Sequence, residues 1–278
     1  MGILFALTAA GAYGVSDFVG GLASRRTSAW PVALLSGVGA LLGSLLLAAG
    51  GTGDPAAADL WWGLLAGLGS GFGTAFLYRG FASGRMGVVA PVSAVGAALL
   101  PVAVSVLAGE RPALLVWLGI AAALPGIWLV AREPATDNGP LGGTAGLLDG
   151  GLAGVGFGVL FIATGQVPDG AGYWPLVATQ AASMVAIVAL AMLFGASWRP
   201  TARTEAWGLA AGLLATLAVL CFLLATQAGL LTIAAVLTSL YPAITVLLAA
   251  LVLRERIFPP QAVGLALCGG AVALVALG

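Results

Sequence analysis

The sequence predicts an all-α integral membrane protein, with ten transmembrane helices arranged as two inverted five-helix repeats. Three observations lead to this fold class. Of the 278 residues, 61% are hydrophobic and 7% are charged, whereas about 25% of residues are charged in a typical soluble domain. The apolar residues form runs long enough to cross a bilayer as helices. The second half of the sequence also repeats the first.

Composition excludes several classes of function. All ten basic residues are arginines, ten acidic residues balance them, and neither lysine nor histidine occurs. Nucleic-acid binding needs a basic face, a Ser-His-Asp triad needs histidine, and a Walker A loop needs lysine. Cys221 and Cys268 lie inside apolar runs and form neither a disulfide framework nor a metal cluster. We therefore expect no catalytic residues, no metal, no cofactor, no nucleic-acid partner and no ATP-binding subunit.

Ten segments are apolar over about 20 residues, the length of a helix that spans a bilayer. Their connections are short, and an even number of spans puts both termini on the same side of the membrane. The predicted spans are residues 2–22, 30–50, 60–79, 86–108, 113–131, 144–165, 173–195, 206–226, 230–253 and 259–277.

An internal duplication defines the domain organisation. The two halves align at an offset of 144 residues, which becomes 145 from the third span onward. We predict a first repeat over residues 1–134, a linker over 135–143 and a second repeat over 144–278. Because each repeat holds five spans, the second enters the membrane the opposite way up, as in many secondary transporters. The aligned pairs include Trp30-Pro31 with Trp174-Pro175, Trp62-Gly63 with Trp207-Gly208, and Gly109-Glu110-Arg111 with Arg254-Glu255-Arg256.

One stretch of the second repeat resembles a known family. Leu240-Tyr241-Pro242 is followed by an apolar run, then by Leu253-Arg254-Glu255-Arg256 and by Gly264. This order resembles the EamA repeat of the drug/metabolite transporter superfamily, and the resemblance covers nearly the whole chain as two repeats. It implies a ten-helix bundle that moves small metabolites, amino acids or drugs by alternating access. The sequence departs from the family at Ser16-Asp17, where a neutral polar residue is usual.

Asp17 is the strongest candidate for a functional residue. It lies about fifteen residues into the first span, which at 1.5 Å per residue places it within the hydrocarbon, where a charge costs at least about 2.5–3.5 kcal/mol. Tyr13 lies one turn earlier on the same face, and the aligned residue of the second repeat is the apolar Phe161. We predict that Asp17 and Tyr13 face a central cavity, where Asp17 takes up a coupling proton or pairs with a cationic substrate group. The alternative is an interfacial Asp17 paired with Arg25, Arg26 or a neighbouring helix.

Prolines are predicted to interrupt the fourth and ninth spans. Pro91 and Pro101 lie in the fourth span, and Pro242 lies in the ninth. Each proline removes a backbone donor and frees a carbonyl group. Interrupted spans at matching positions of two repeats point to a transport site.

Hydroxyl-bearing residues follow one face of the ninth span. Thr238, Tyr241 and Thr245 are spaced at i, i+3 and i+7, and Ser93 of the fourth span aligns with Thr238. We predict that these four side chains line the substrate pathway. The alternative is hydrogen bonding between helices, which contributes about 0.6 kcal/mol on average.

Three further polar residues are candidates. Gln180 lies within the seventh span, and a buried amide there needs hydrogen-bond partners. We predict that it contacts the substrate, and the alternative is a hydrogen bond between helices. Glu110 and Glu255 lie at helix ends beside arginines and are candidates for gate or interface ion pairs.

Small residues recur every fourth position on the third and eighth spans, which predicts close helix packing. The residues are Gly63, Gly67 and Gly71 on the third span, and Gly208, Gly212 and Thr216 on the eighth.

Two arguments about orientation disagree. The loops on the side of the termini contain only Arg111, whereas the opposite side carries nine arginines. The positive-inside rule therefore places the termini outside, but the family resemblance implies termini inside.

The sequence as a whole predicts a secondary active transporter, acting as an exporter, of a small organic metabolite, amino acid or drug-like compound. Its partners would be the small-molecule substrate and the lipid bilayer, and a monomer is sufficient. The Ala- and Gly-rich, lysine-free composition predicts a multi-pass protein of a bacterial inner membrane. The alternatives are a non-transporting membrane sensor or scaffold and, with less support, an intramembrane enzyme.

Overall fold

The structure is a computed structural model that describes residues 1–82, 86–130, 144–252 and 258–277. All regular elements in these ranges are helical. Two 3₁₀ turns, Asp169–Ala171 and Arg203–Ala206, accompany the α-helices. The α-helices are α1 (Gly2–Arg26), α2 (Ala29–Gly50), α3 (Ala57–Ala82), α4 (Met86–Leu107), α5 (Leu114–Val130), α6 (Thr144–Thr164), α7 (Trp174–Leu193), α8 (Trp207–Gln227), α9 (Leu231–Thr238), α10 (Tyr241–Val252) and α11 (Pro259–Leu277).

The helices have the length and composition of membrane spans. Five are long and apolar enough to cross a bilayer by themselves: Gly2–Arg26, Ala29–Gly50, Ala57–Ala82, Trp174–Leu193 and Arg203–Gln227. Five shorter apolar helices accompany them: Val92–Leu107, Leu114–Leu129, Leu148–Thr164, Leu231–Thr245 and Pro259–Val275. An all-helical membrane protein is therefore confirmed, and the count of ten spans stays a prediction. The predicted linker, residues 135–143, lies outside the described residues.

The outer surface is apolar over much of its area. Leu46, Val185, Leu193 and Leu251 are each at least 67% exposed. Exposed apolar area on this scale marks a surface that is covered by another apolar phase. The bilayer is that phase.

The ninth predicted span is divided into α9 and α10. Ser239 and Leu240 form a turn between them. Pro242 has no N–H with which to bond the Thr238 carbonyl. The Ala243 N–H donates to the carbonyl of Leu240, three residues earlier, at 3.0 Å instead of to the carbonyl four residues earlier. The break therefore lies just before the proline.

The predicted interruption of the fourth span is wrong. Helix α4 runs without a break from Met86 to Leu107, through both Pro91 and Pro101. Helix α4 crosses α6 closely at Gly96. A Cβ atom added there would lie 3.0 Å from the backbone of Gly154. Membrane bundles tolerate proline-containing helices where neighbouring helices and Ser or Thr side chains satisfy the freed backbone groups.

The packing of the helices is reciprocal between the halves. Helix α3 packs on α6 and α7, and α8 packs on α1 and α2. Helix α4 packs on α6, and α9 and α10 pack on α1, while α5 and α11 pack on each other. Exchanging each helix for its counterpart in the other half therefore returns the same principal pairs of neighbours.

Glycines allow the closest of these crossings. A Cβ atom at Gly63 or Gly67 would collide with the Pro175 or Thr179 carbonyl oxygen of α7. On the other side of the bundle, the carbonyl oxygen of Ser36 on α2 blocks a Cβ atom at Gly212 of α8 in the same way. The small-residue pattern of the sequence thus lies at the crossings α3–α7 and α8–α2.

Candidate functional site

Asp17 lies inside the bundle among tyrosines. It is the sixteenth residue of the 25-residue helix α1, so it lies well away from both helix ends, and its side chain is half-buried. Its carboxyl group is near enough to Tyr13, Tyr78 and Tyr241 to interact with them electrostatically. These residues come from α1, α3 and α10, and they form what we call the Asp17 site.

Tyr78 is fixed in this site by small residues and hydroxyl groups. Its side chain is buried and its hydroxyl lies against Gly20 of α1, where a Cβ atom would displace it. The same hydroxyl is hydrogen-bonded to Ser16 and Ser36. Ser16 in turn donates to the Ala211 carbonyl of α8 at 2.8 Å. These contacts connect Tyr78 of α3 to α1 and α2 and, through Ser16, to α8.

Tyr78, Ser16 and Ser36 belong to the site but were not predicted from the sequence. Their only signal is a polar side chain inside an apolar span. No spacing rule relates Tyr78 to Gly20, because these residues meet through tertiary packing.

Tyr241 supplies a second hydroxyl from the divided helix pair. It is 4% exposed, and its hydroxyl lies 3.4 Å from Ser93 Oγ of α4. The rings of Tyr13 and Tyr241 are 6.4 Å apart between centroids. The Tyr13 hydroxyl is buried and has no hydrogen-bond partner within the described residues.

The two threonines of the predicted polar stripe serve helix contacts. Thr238 Oγ1 donates to the Ala6 carbonyl at 3.4 Å, and Thr245 Oγ1 donates to the Gly14 carbonyl at 3.2 Å. Both bonds join the divided helix pair to α1. Tyr241, the third hydroxyl of the stripe, is close enough to Asp17 to interact with it electrostatically.

Gln180 is 4% exposed on α7. Its side chain makes no hydrogen bond within the part of the chain that the structure describes. Met184, one turn later, lies against Gly37 of α2. A substrate contact of Gln180 stays a prediction.

Glu110 caps a helix instead of forming an ion pair with its neighbour. Its two carboxylate oxygens accept the backbone N–H groups of Leu231 at 2.9 Å and Thr232 at 3.2 Å, at the first turn of α9. A carboxylate is favourable there because the helix dipole is positive at its N-terminus. Arg111 donates to the backbone carbonyls of Val106 and Glu110. Glu255 lies outside the described residues.

One ion pair was not predicted. Arg79 of α3 pairs with Asp149 of α6, and Arg79 Nε lies 3.1 Å from Asp149 Oδ1. The guanidinium also lies over the rings of Phe76 and Phe194, at 4.4 and 4.6 Å from their centroids. Within the described residues, no group of three or more His, Cys, Asp or Glu side chains could hold a metal ion.

Comparisons with known proteins decide the family. Residues 144–277 match the family model of the EamA-like transporter family. The second half of the chain belongs to this family, which is part of the drug/metabolite transporter superfamily. No curated protein matches the sequence.

The fold of the whole chain is also found among solved structures. One crystal structure of a protein superposes on it with a TM-score of 0.69, covering 97% of this chain and 98% of the other. The two sequences are 19% identical, so the likeness shows the fold alone. It extends over the first half, which the family model does not match. The protein is thus a multi-pass membrane protein of a transporter family, and the Asp17 site lies deep in its bundle.

Proposed function

We propose that this protein is a secondary active transporter that exports a small organic metabolite, amino acid or drug-like compound. Alternating access would arise from two inverted five-helix repeats that span the bilayer ten times. The reciprocal packing of α3 on α6 and α7, and of α8 on α1 and α2, supports this proposal. Two halves related in this way have two equivalent arrangements, one open to each side.

The Asp17 site carries the proposal. A carboxylate in the middle of a span is costly, and this one is half-buried beside the unpartnered hydroxyl of Tyr13. A membrane protein keeps such a group where a water-filled cavity or a ligand compensates it. Asp17 would bind either a coupling proton or a cationic group of the substrate.

The turn between α9 and α10 supports the same location. Ser93 and Tyr241 meet beside this turn, and Tyr241 contacts Tyr13 of α1. Discontinuous helices offer backbone groups to substrates in other transporters. We therefore propose a pathway that passes Tyr13, Asp17, Ser93 and Tyr241.

The experiment begins with cells that express the wild type, Asp17→Asn, Asp169→Asn or an empty vector. Asp169 is an exposed acid in the 3₁₀ turn before α7 and serves as the matched control. The substrate is the metabolite whose distribution between cells and medium differs from that of the empty vector only in cells that express the wild type or Asp169→Asn. Flux of that compound is then measured in proteoliposomes with an imposed pH gradient.

We expect Asp17→Asn to reduce flux at least about tenfold, as loss of a charge-assisted contact of about 1.5–3 kcal/mol predicts. If Asp17→Asn transports at the wild-type rate with the same pH dependence, the proposed role of Asp17 is wrong. If purified wild type in liposomes moves none of the compounds, a membrane sensor replaces the transporter.

Orientation is tested separately by cysteine labelling. Gly170 and Ser197 are exposed in loops on opposite sides of the bundle, and both native cysteines are buried. Cytoplasmic termini predict that an impermeant thiol reagent added to cells labels Ser197→Cys and leaves Gly170→Cys unlabelled. The reverse pattern would support the arginine count.

A further inference from the structure

A groove separate from the Asp17 site lies between α1 and the beginning of α8. It has a volume of about 140 Å³ and is lined by Phe18, Val19, Leu22, Ala23, Arg26, Thr204 and Trp207. A cavity of about 150 Å³ holds a benzene molecule, so this groove has room for a segment of an aliphatic chain. Phe18 follows Asp17, but consecutive helix residues point about 100° apart, so the groove and Asp17 use different faces of α1.

The groove is apolar at one end and polar at the other. Its α1 residues run from Phe18 to Arg26, which spans about 12 Å along the helix axis at 1.5 Å per residue. Phe18, Val19 and Leu22 form the inner, apolar part, and exposed Arg26 stands at the end of α1. Thr204 and the indole of Trp207, which is 61% exposed, flank the same end. This order matches a phospholipid, with the acyl chain inside and the phosphate at the membrane surface.

Charge selects an anionic occupant. Arg26 belongs to the side of the bundle that carries nine arginines, and Arg203 adjoins Thr204 at the outer end. Glu205, the nearest acid in sequence, is 2% exposed, and its carboxylate already accepts the N–H groups of Thr201 and Ala202. It therefore offers little to offset the arginines at the surface. Basic pockets between membrane helices bind anionic lipid headgroups.

The counterpart place in the other half lacks this chemistry. Under the offsets of the sequence repeat, Trp207 corresponds to Trp62, but Arg26 corresponds to Gly170 and Thr204 to Asp59. Helix packing is reciprocal between the halves, so packing alone does not explain a cation at only one of the two positions.

We propose that this groove binds an anionic phospholipid from the leaflet on the arginine-rich side, with its phosphate held by Arg26 and one acyl chain lying along Val19 and Leu22. The bound lipid would lie between α1 and α8, which pack against each other. The proposal is independent of which compound the protein transports.

The test is native mass spectrometry of the purified full chain in detergent. The probes are phosphatidylglycerol and phosphatidylcholine with the same acyl chains, and inorganic phosphate. We expect the wild type to retain phosphatidylglycerol in preference to phosphatidylcholine, and Arg26→Gln to weaken phosphatidylglycerol binding about fivefold, the effect of one arginine near a charged membrane surface. Arg199→Gln is the matched control, since Arg199 is exposed on the same side but stacks on Trp198 outside the groove.

A second variant tests the acyl-chain part of the groove. Val19→Trp fills this part and leaves Arg26 in place, so we expect it to weaken both lipids. Size-exclusion chromatography and circular dichroism establish that each variant is folded. Three outcomes would overturn the proposal. The first is an equal loss of phosphatidylglycerol binding in Arg26→Gln and Arg199→Gln, and the second is equal retention of both lipids by the wild type. The third is competition by inorganic phosphate at the lipid concentration. Val19→Trp that binds as the wild type would also overturn it.

Discussion

Helices α1 and α6 hold equivalent places in the two proposed repeats but present opposite chemistry. Helix α1 packs on α8, and α6 packs on α3. At matching positions α1 carries Tyr13 and Asp17, whereas α6 carries Phe157 and Phe161. Phe161 is 2% exposed and stacks on Phe222 with 4.4 Å between ring centroids. Helix α1 thus carries a half-buried carboxylate, whereas α6 carries a phenylalanine packed in the apolar core.

The difference separates packing from function. Both helices must come close to their partners, so the backbone contacts around them are similar. The residues that face the interior are free to differ, because one carboxylate is enough to bind one proton or one cation. We therefore expect variants at helix crossings to affect both halves alike, and variants at the polar groups to affect one half.

The largest expected effect comes from the glycines of the crossings. Gly67→Leu and Gly212→Leu place side chains against the carbonyl oxygens of Thr179 and Ser36. Overpacking costs about 1–3 kcal/mol where the surroundings can shift, and backbone atoms of a neighbouring helix shift less easily. We expect neither variant to yield monodisperse protein in fluorescence-detected size-exclusion chromatography.

The control for the crossings is Gly270→Leu. Gly270 lies in α11 with open space around it, so the same change should give wild-type yield. If Gly67→Leu folds normally while Gly212→Leu does not, the two crossings are not equivalent and the comparison between halves fails.

Much of the fold was predictable because helix length and glycine spacing are local properties. The predicted spans end within a few residues of the observed helices, as 259–277 and Pro259–Leu277 illustrate. The ninth span was predicted to be interrupted at Pro242, and it is divided into α9 and α10 just before that proline. The fourth was predicted as interrupted, and it is continuous. Whether proline breaks a membrane helix depends on which neighbouring groups satisfy the freed backbone groups, and a sequence does not contain that information locally.

The next largest effect comes from the ion pair of α3 and α6. At the matching positions of α8 and α1, Arg79 corresponds to Leu224 and Asp149 to Phe5. Arg79→Leu leaves Asp149, which is 9% exposed, without its partner. Because an orphaned buried polar group costs about 1–3 kcal/mol, more when it is charged, we expect Arg79→Leu to lower the unfolding free energy by about 3 kcal/mol in a denaturant titration.

The double variant Arg79→Leu/Asp149→Phe reproduces the apolar pairing of the other half. Replacing both partners of a buried ion pair is often neutral, so we expect it to recover most of the lost stability. A double variant that is less stable than Arg79→Leu would show that the two halves differ here in packing as well as in charge.

The Asp17 site was predictable only in part. Asp17 stands out because a charge in an apolar span is costly wherever it points. Tyr78 and Ser36 reach the site from α3 and α2, and their positions depend on how three helices cross. Thr238 and Thr245 share one face, as predicted, but that face meets α1, where their hydroxyls bond backbone carbonyls. Spacing identifies a face, and tertiary packing decides what the face touches.

A smaller effect is expected at the cap of α9. Glu110→Ala removes both acceptors of the Leu231 and Thr232 N–H groups. Loss of an N-terminal cap costs about 0.5–2 kcal/mol, so we expect faster hydrogen exchange over residues 231–238 and unchanged exchange in α8. Unchanged protection of Leu231 and Thr232 would mean that Glu110 does not hold this helix in the membrane.

The smallest effect on stability is expected at Tyr13, where it separates structure from function most sharply. Its hydroxyl is buried without a partner in the described part of the chain, so Tyr13→Phe should leave the thermal midpoint unchanged or raise it slightly. Tyr241→Phe removes the contact with Ser93 and should cost about 0.5–1.5 kcal/mol. If Tyr13→Phe nevertheless reduces substrate flux severalfold while Phe157→Tyr in α6 does not change it, the Tyr13 hydroxyl acts on the substrate. A Tyr13→Phe protein that is destabilised as much as Tyr241→Phe would show instead that the hydroxyl has a structural partner.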